Sequence, residues 1–219
     1  MMMLDKRVID QAEHIDLSRC YKKSDRIISQ RRIRDSGIAK LSVRAESDSP
    51  WLVLKVMTGR ELEVGENLQK ADVEALVPMK MGKEIRRRRF VTPPHKEPVF
   101  IGYLFARCII SNDTMAALLG FNHVTGILGG YEKPYLVAAK NVLSFNEKAN
   151  EGHFDHEVPH TVYHRGMKVF VKDGIFAGSR GEIISGGSEG KGTAVVGVHF
   201  LGGLTPVIMP LAILEPLCA

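Results

Sequence analysis

GMKVFVKDGIFAGSRGEII, Gly166 to Ile184, and VVGVHFLGGLTPVIMPLAILE, Val195 to Glu215, carry the clearest structural signal in the chain. Strand-forming residues run from Met167 to Val171, and Asp173-Gly174 then supplies a turn that tolerates positive φ. Gly178 and Gly181 let backbones approach where a Cβ would intrude. From Gly166 to Pro210 the chain is rich in glycine and β-branched residues, which favours short strands over helix. The expectation is a small all-β barrel built around one glycine-bearing turn.

Upstream the composition changes. Pro50 precedes a nearly continuous apolar run, Trp51 to Met57, suited to a strand buried on both faces. Thr58 and Glu61 stand at capping-box spacing, so a helix is expected from about Arg60 to about Ala71 with Leu62, Leu68 and Ala71 inward. Val73 to Met79 reads as a second strand, Lys80 to Pro94 as a basic excursion ended by a proline pair, and Phe100 to Ile110 as a strong strand. Asn112 is placed to cap a short helix carrying Met115, Leu118 and Leu119, with Gly120 placed to end it. Val124 to Leu128 gives another strand and Val137 to Glu147 a closing helix. Strands alternating with helices predict an α/β sandwich. Lys148 to His164 turns polar and irregular. The expected layout is a mobile extension over residues 1–49, an α/β domain over 50–147, a linker over 148–164 and an all-β domain over 165–219, an α+β protein overall.

The chain has 219 residues, 44% of them hydrophobic, and a formal net charge of +5. That excess favours polyanionic partners without requiring one. Cys20, Cys108 and Cys218 lack the paired spacing of a zinc site or a secreted disulfide framework, which points to a reducing cytoplasm. No apolar run reaches the ~18 residues of a membrane span, and MMMLDKRVIDQAEH lacks the apolar core of a signal peptide. A monomer with no membrane contact is expected.

The order of residues from Gly166 to Ile184, with Leu204 to Val207 and Ile213-Leu214-Glu215 closing it, resembles a KOW motif, an SH3-like barrel. VFIGYLFARC, Val99 to Cys108, resembles the Phe-Pro-Gly-Tyr element of the NusG amino-terminal domain, with Ile101 in the usual proline position. Trp51, Gly59, Glu61, Pro78 and VTGILGG, Val124 to Gly130, fall in that family's order, so the resemblance covers Trp51 to Glu215. It implies a bacterial transcription elongation factor whose first domain grips the clamp helices of RNA polymerase. Such a factor modulates pausing, termination or antitermination. Phe100 and Tyr103 match the hydrophobic depression that receives the helices, with Trp51 and Phe105 as support; a pocket of rigid aromatics gives large contact area at low rotamer cost. The plain alternative is that all four are sheet core. In the KOW domain the family recruits Rho or a small-subunit ribosomal protein through loop aromatics. Phe176 matches one of these, Ser179 stands where another is common, and either Phe200 or Leu201 fits the second contact position.

Arg86, Arg87, Arg88 and Arg89, with Lys80 and Lys83 nearby, concentrate positive charge for DNA or RNA within the elongation complex. A solvated loop is the other reading. His153, His156, His160 and His164 have ligand spacing, but Pro159 keeps them off one helix and no metal or cofactor is expected. Neither a nucleophile elbow, a P-loop nor paired carboxylates are present, so no enzyme activity is expected. The competing class is a KOW-containing RNA-binding or ribosome-associated protein that does not touch polymerase.

Overall fold

The computed structural model describes residues 24–26, 28, 36–41, 43, 45–87, 90–155, 163–186, 192–200 and 202–217, with backbone alone at 85–87 and 90. Strand β1, Trp51–Val56, is buried along almost its whole length, as suits an apolar run broken only by Lys55. It lies in an antiparallel sheet ordered β2-β7-β1-β8, where β2 is Glu74–Leu76, β7 Tyr103–Arg107 and β8 Val124–Ile127; β9, Leu136–Val137, also pairs with β1. The register sets Val53 opposite Phe105 and Leu54 opposite Leu104.

Because side chains alternate across a strand, β1 feeds two apolar layers. Leu52, Leu54, Leu104 and Ala106 pack with Val64 and Leu68 of helix α1, Glu61–Lys70, and with Met115 and Leu118 of α2, Asn112–Leu119. Trp51, Val53 and Phe105 pack on the other face with Val142, Phe145 and Ala149 of α3, Ala139–Asn150. Each such leucine or phenylalanine contributes roughly 1.5–3 kcal/mol by leaving water. Leu41, from a helical stretch at 36–41, is also buried in the α1/α2 layer, and Lys40 pairs with Asp113 there. This part of the predicted mobile extension is therefore packed.

Several local expectations shift. Helix α1 has Arg60 at its N-cap and no side-chain cap. Glu61 turns inward instead, taking one place in the buried stripe Glu61, Val64, Gly65, Leu68, which leaves Leu62 50% exposed. The α2 cap is Ser111, in a reciprocal pair with Thr114, one residue before the expected Asn112. The strand expected over 73–79 divides into β2 and β3, Met79–Met81, with Pro78 between them. Strand β3 pairs with β6, Lys96–Pro98, and the intervening chain forms a hairpin of β4, Ile85–Arg87, and β5, Phe90–Thr92. Helix α3 runs on to Asn150, into the stretch read as linker.

The C-terminal segment forms a five-stranded antiparallel sheet ordered β13-β12-β11-β10-β14. Its strands are β10, Lys168–Val171; β11, Arg180–Gly186; β12, Thr193–Phe200; β13, Gly203–Pro210; and β14, Leu214–Pro216. Val169, Val171, Ile183, Val196, Val198, Val207 and Met209 make its inner face. Among the described residues β13 and β14 stay at the two ends of the order, so pairing does not close the expected barrel.

Candidate functional site at the aromatic junction

The chain enters β7 through a tight turn. Gly102 adopts φ +83 there, open to glycine at little cost. The turn is braced from two sides: Gly102 N–H donates to the buried Glu61 carboxylate at 2.7 Å, and Val56 N–H donates to the Gly102 carbonyl at 2.9 Å. An acid at the first position of a helix also suits the positive end of its dipole. Together these contacts hold Phe100 and Tyr103 at the edge of the layer that contains Trp51 and Phe105.

Facing them is the C-terminal sheet. Phe176 meets Phe100 edge-on at 6.3 Å between ring centroids and Tyr103 at 5.8 Å. Phe200 lies 5.4 Å from Phe176, and Tyr135 lies 4.5 Å from Phe200. Phe145 stacks on Phe100 at 5.5 Å and on Phe154 at 4.7 Å. These separations are those of favourable edge-to-face and offset pairs, each worth ~0.5–1.5 kcal/mol beyond the area buried. Burial raises the phenol pKa values of Tyr103 and Tyr135. At the rim Lys148 reaches both oxygens of Asp173 at 2.9 Å. Tyr163 anchors the C-terminal sheet by donating its hydroxyl to the Leu214 carbonyl at 2.8 Å.

The two aromatic sets that the sequence assigned to different partners thus lie on each other. Phe100 is 2% exposed and Phe176 fully buried. Trp51 and Phe105 are also buried in the core, with the Arg107 guanidinium 5.0 Å above the Trp51 ring. Phe145, Phe154 and Tyr135 were missed as members of the site. Phe145 carried a faint signal, its i+3 spacing from Val142 and i−4 spacing from Ala149 on the inward stripe of α3.

The basic excursion is thinner than its sequence promised. Lys80 points inward, 5% exposed, and pairs with Glu97 at 3.0 Å, so it is not a free phosphate ligand. The pairing follows from the β3–β6 register, which sets Lys80 opposite Glu97. Lys83 is exposed, and the backbone of Arg86 and Arg87 lies in β4. Arg88, Arg89 and Leu201 lie outside the described residues. Of the histidines, His153 bonds to Glu151 at 3.0 Å and His164 is exposed, while His156 and His160 lie outside the described residues. No group of three metal-binding side chains occurs among the described residues. Nor is any described helix long and apolar enough to cross a membrane.

An α/β domain presenting a braced aromatic turn is thus joined to a small antiparallel sheet that covers that turn. Residues 49–146 match the family model described as transcription termination factor nusG. Residues 49–146 thus form a NusG-family domain, and the kind of function this supports is that of a transcription elongation factor. Among solved structures, one titled "Domain interaction in Thermotoga maritima NusG" matches at 20% identity and a TM-score of 0.42, over 78% of this chain and 98% of that one. The MjSpt4:Spt5 complex matches in conformation A at 13% identity, over 76% of this chain and 97% of that one, and in conformation B at 14%, over 77% and 97%. Both of these TM-scores are 0.24. Comparison with curated proteins finds no match.

Proposed function

We propose that this protein binds RNA polymerase through the face made by Phe100 and Tyr103 and modulates pausing, termination or antitermination. The observation that carries the reading is the Glu61–Gly102 brace within the family domain, which holds those two rings on a preformed turn. A rigid aromatic face of this kind receives an apolar helical ridge with little ordering cost. The C-terminal sheet is read as the KOW arm, with Phe176 and Phe200, joined by Leu201, as its contact for Rho or a small-subunit ribosomal protein. Linking two arms in one chain converts the second binding event into a local one at high effective concentration. Lys83 and Arg86 to Arg89 are read as phosphate contacts to DNA or RNA in the elongation complex, without base readout. The protein acts in the cytoplasm as a non-enzymatic, monomeric adaptor. In the closed arrangement both aromatic faces are covered, so polymerase binding requires the two parts to separate.

The test is a polymerase pull-down with the full chain and the Phe100→Ala/Tyr103→Ala double variant. Retention is expected to fall at least roughly tenfold, as loss of central aromatic anchors does. The double variant also loosens the junction, which by itself favours binding, so a fall is informative. Undiminished retention sinks the assignment of the face. Absence of polymerase from the wild-type pull-down favours a ribosome-associated RNA binder instead.

A further inference from the structure

The basic ribbon leaves the main sheet at Pro78 and returns at Val99, whose N–H donates to the Pro78 carbonyl at 2.9 Å. One register runs along it: Lys80 stands opposite Glu97, the Gly82 N–H donates to the His95 carbonyl at 2.8 Å, and Arg86 stands opposite Val91. Between these stretches Pro93 and Pro94 supply no N–H, so strand pairing is interrupted partway along. A two-stranded ribbon is marginal by itself, so the direction of this one depends on what holds its base. The arginines of β4 ride at the far end.

The base is held from the side of α3. Antiparallel pairing turns alternate N–H groups outward, and with Gly82 bonded to His95 the Met81 N–H lies on the free edge of β3. It donates to Asp155 Oδ1 at 2.7 Å. Asp155 is itself placed by the turn that ends α3: its N–H donates to the Gly152 carbonyl at 3.0 Å, and Gly152 adopts φ +83. A Cβ on Gly152 would stand 2.9 Å from Asp155 Oδ2, so the bare backbone leaves room for the carboxylate. The adjacent Phe154 is buried and stacked on Phe145 at 4.7 Å, which pins the turn to the domain. A cleft of about 100 Å³, lined by Met79, Met81, Lys96, Ala149 and Asn150, remains between the ribbon base and the end of α3. Packing there is incomplete, which leaves the connection to the Asp155 bond.

We propose that Asp155 is the bracket of the basic ribbon, a positioning residue that fixes the direction in which Arg86 and Arg87 are presented to a nucleic-acid backbone. The proposal deepens the phosphate-contact reading of those arginines and rests on it. Cations that are already aligned lose less freedom when they meet phosphates. Where only a fraction of molecules holds the ribbon in the competent direction, apparent affinity falls by that fraction. Glu151 to Asp155, expected as part of a linker, thus serves the first domain as the mount of its ribbon.

The experiment compares Asp155→Asn with Asp155→Ala in the full chain. Both remove one negative charge, which by itself favours a polyanion, but only asparagine keeps an acceptor for the Met81 N–H. The direction of the ribbon is read from the distance between spin labels on Val91→Cys of β5 and Leu143→Cys of α3, both exposed positions, with the native cysteines replaced by alanine. Binding is read from the fluorescence anisotropy of a labelled DNA duplex titrated with each variant free of spin label. Asp155→Ala is expected to broaden the distance distribution and to bind the duplex roughly three- to tenfold more weakly than Asp155→Asn, whose distribution stays as narrow as the parent's. Equal distributions in the two variants overturn the bracket, whatever the affinities. A broadened distribution in Asp155→Ala with duplex affinity equal to that of Asp155→Asn keeps the bracket and sinks the phosphate-contact reading of the arginines. Absence of duplex binding by the parent chain sinks that reading too, while the distances still decide the bracket.

Discussion

The two apolar layers of the family domain differ in who completes them. The layer under α1 and α2 is filled by that domain together with Leu41, whereas the layer under α3 continues from Trp51 and Phe105 through Phe100 and Phe145 into Phe176 and the C-terminal sheet. The first layer holds none of the rings that meet the C-terminal sheet; the second holds them all. One layer thus holds the domain together by itself, and the other shares its packing with the C-terminal sheet.

Leu104→Ala should show the largest effect, a loss of roughly 2–5 kcal/mol in denaturant unfolding, because Leu104 is fully buried in the α1/α2 layer, away from the junction. A loss of the same size in Gly174→Ala, which sets a Cβ against the Phe100 ring, and none extra on combining the two, would break the separation of the layers. Glu61→Ala comes next, costing about 1–3 kcal/mol by leaving the Gly102 N–H without its acceptor. Hydrogen exchange at Gly102 and Tyr103 should rise with it, and Glu61→Gln should restore most of the protection. Alkaline pH probes both layers at once. Burial pushes the Cys108 thiol up to about 11 on the α1/α2 side and raises Tyr103 and Tyr135 on the other. These groups fold in their neutral forms, so their contribution is complete below the unfolded pKa values and declines as pH rises through the folded ones. Thermal stability should fall from about pH 9, the ordinary thiol value, towards pH 11. Cys108→Ala should remove the early part of that decline and Tyr103→Phe part of the later one. Lys148→Ala should be the smallest, under about 1 kcal/mol, since its side chain and that of Asp173 are 39% and 37% exposed. Its effect on junction exchange should vanish in high salt; persistence there would assign the rim contact to packing.

Much of this fold could be read along the chain. Trp51 to Met57 announced a doubly buried strand by its nearly continuous apolar run, and Asp173-Gly174 announced a turn. Helical phase was less legible: Leu62 looked inward by hydropathy, but the inward slot belongs to Glu61, whose partner, Gly102, lies 41 residues away. Lys80 misled for the same reason. Among neighbouring cations it read as a phosphate ligand, and only pairing of β3 with β6 turns it towards Glu97. The candidate site was legible residue by residue and illegible as a whole. Phe100, Tyr103, Phe176 and Phe200 were each singled out, yet nothing in local spacing said that they meet.

The elements are written locally: apolar runs, turn glycines and aromatic positions follow from periodicity and backbone preference, which need no tertiary contact. Tertiary structure alone decided that the two aromatic faces cover each other and that Gly174, apparently one more turn glycine, lies against Phe100. Steric exclusion between residues 74 positions apart in sequence has no local signature; it exists only once the two sheets are packed.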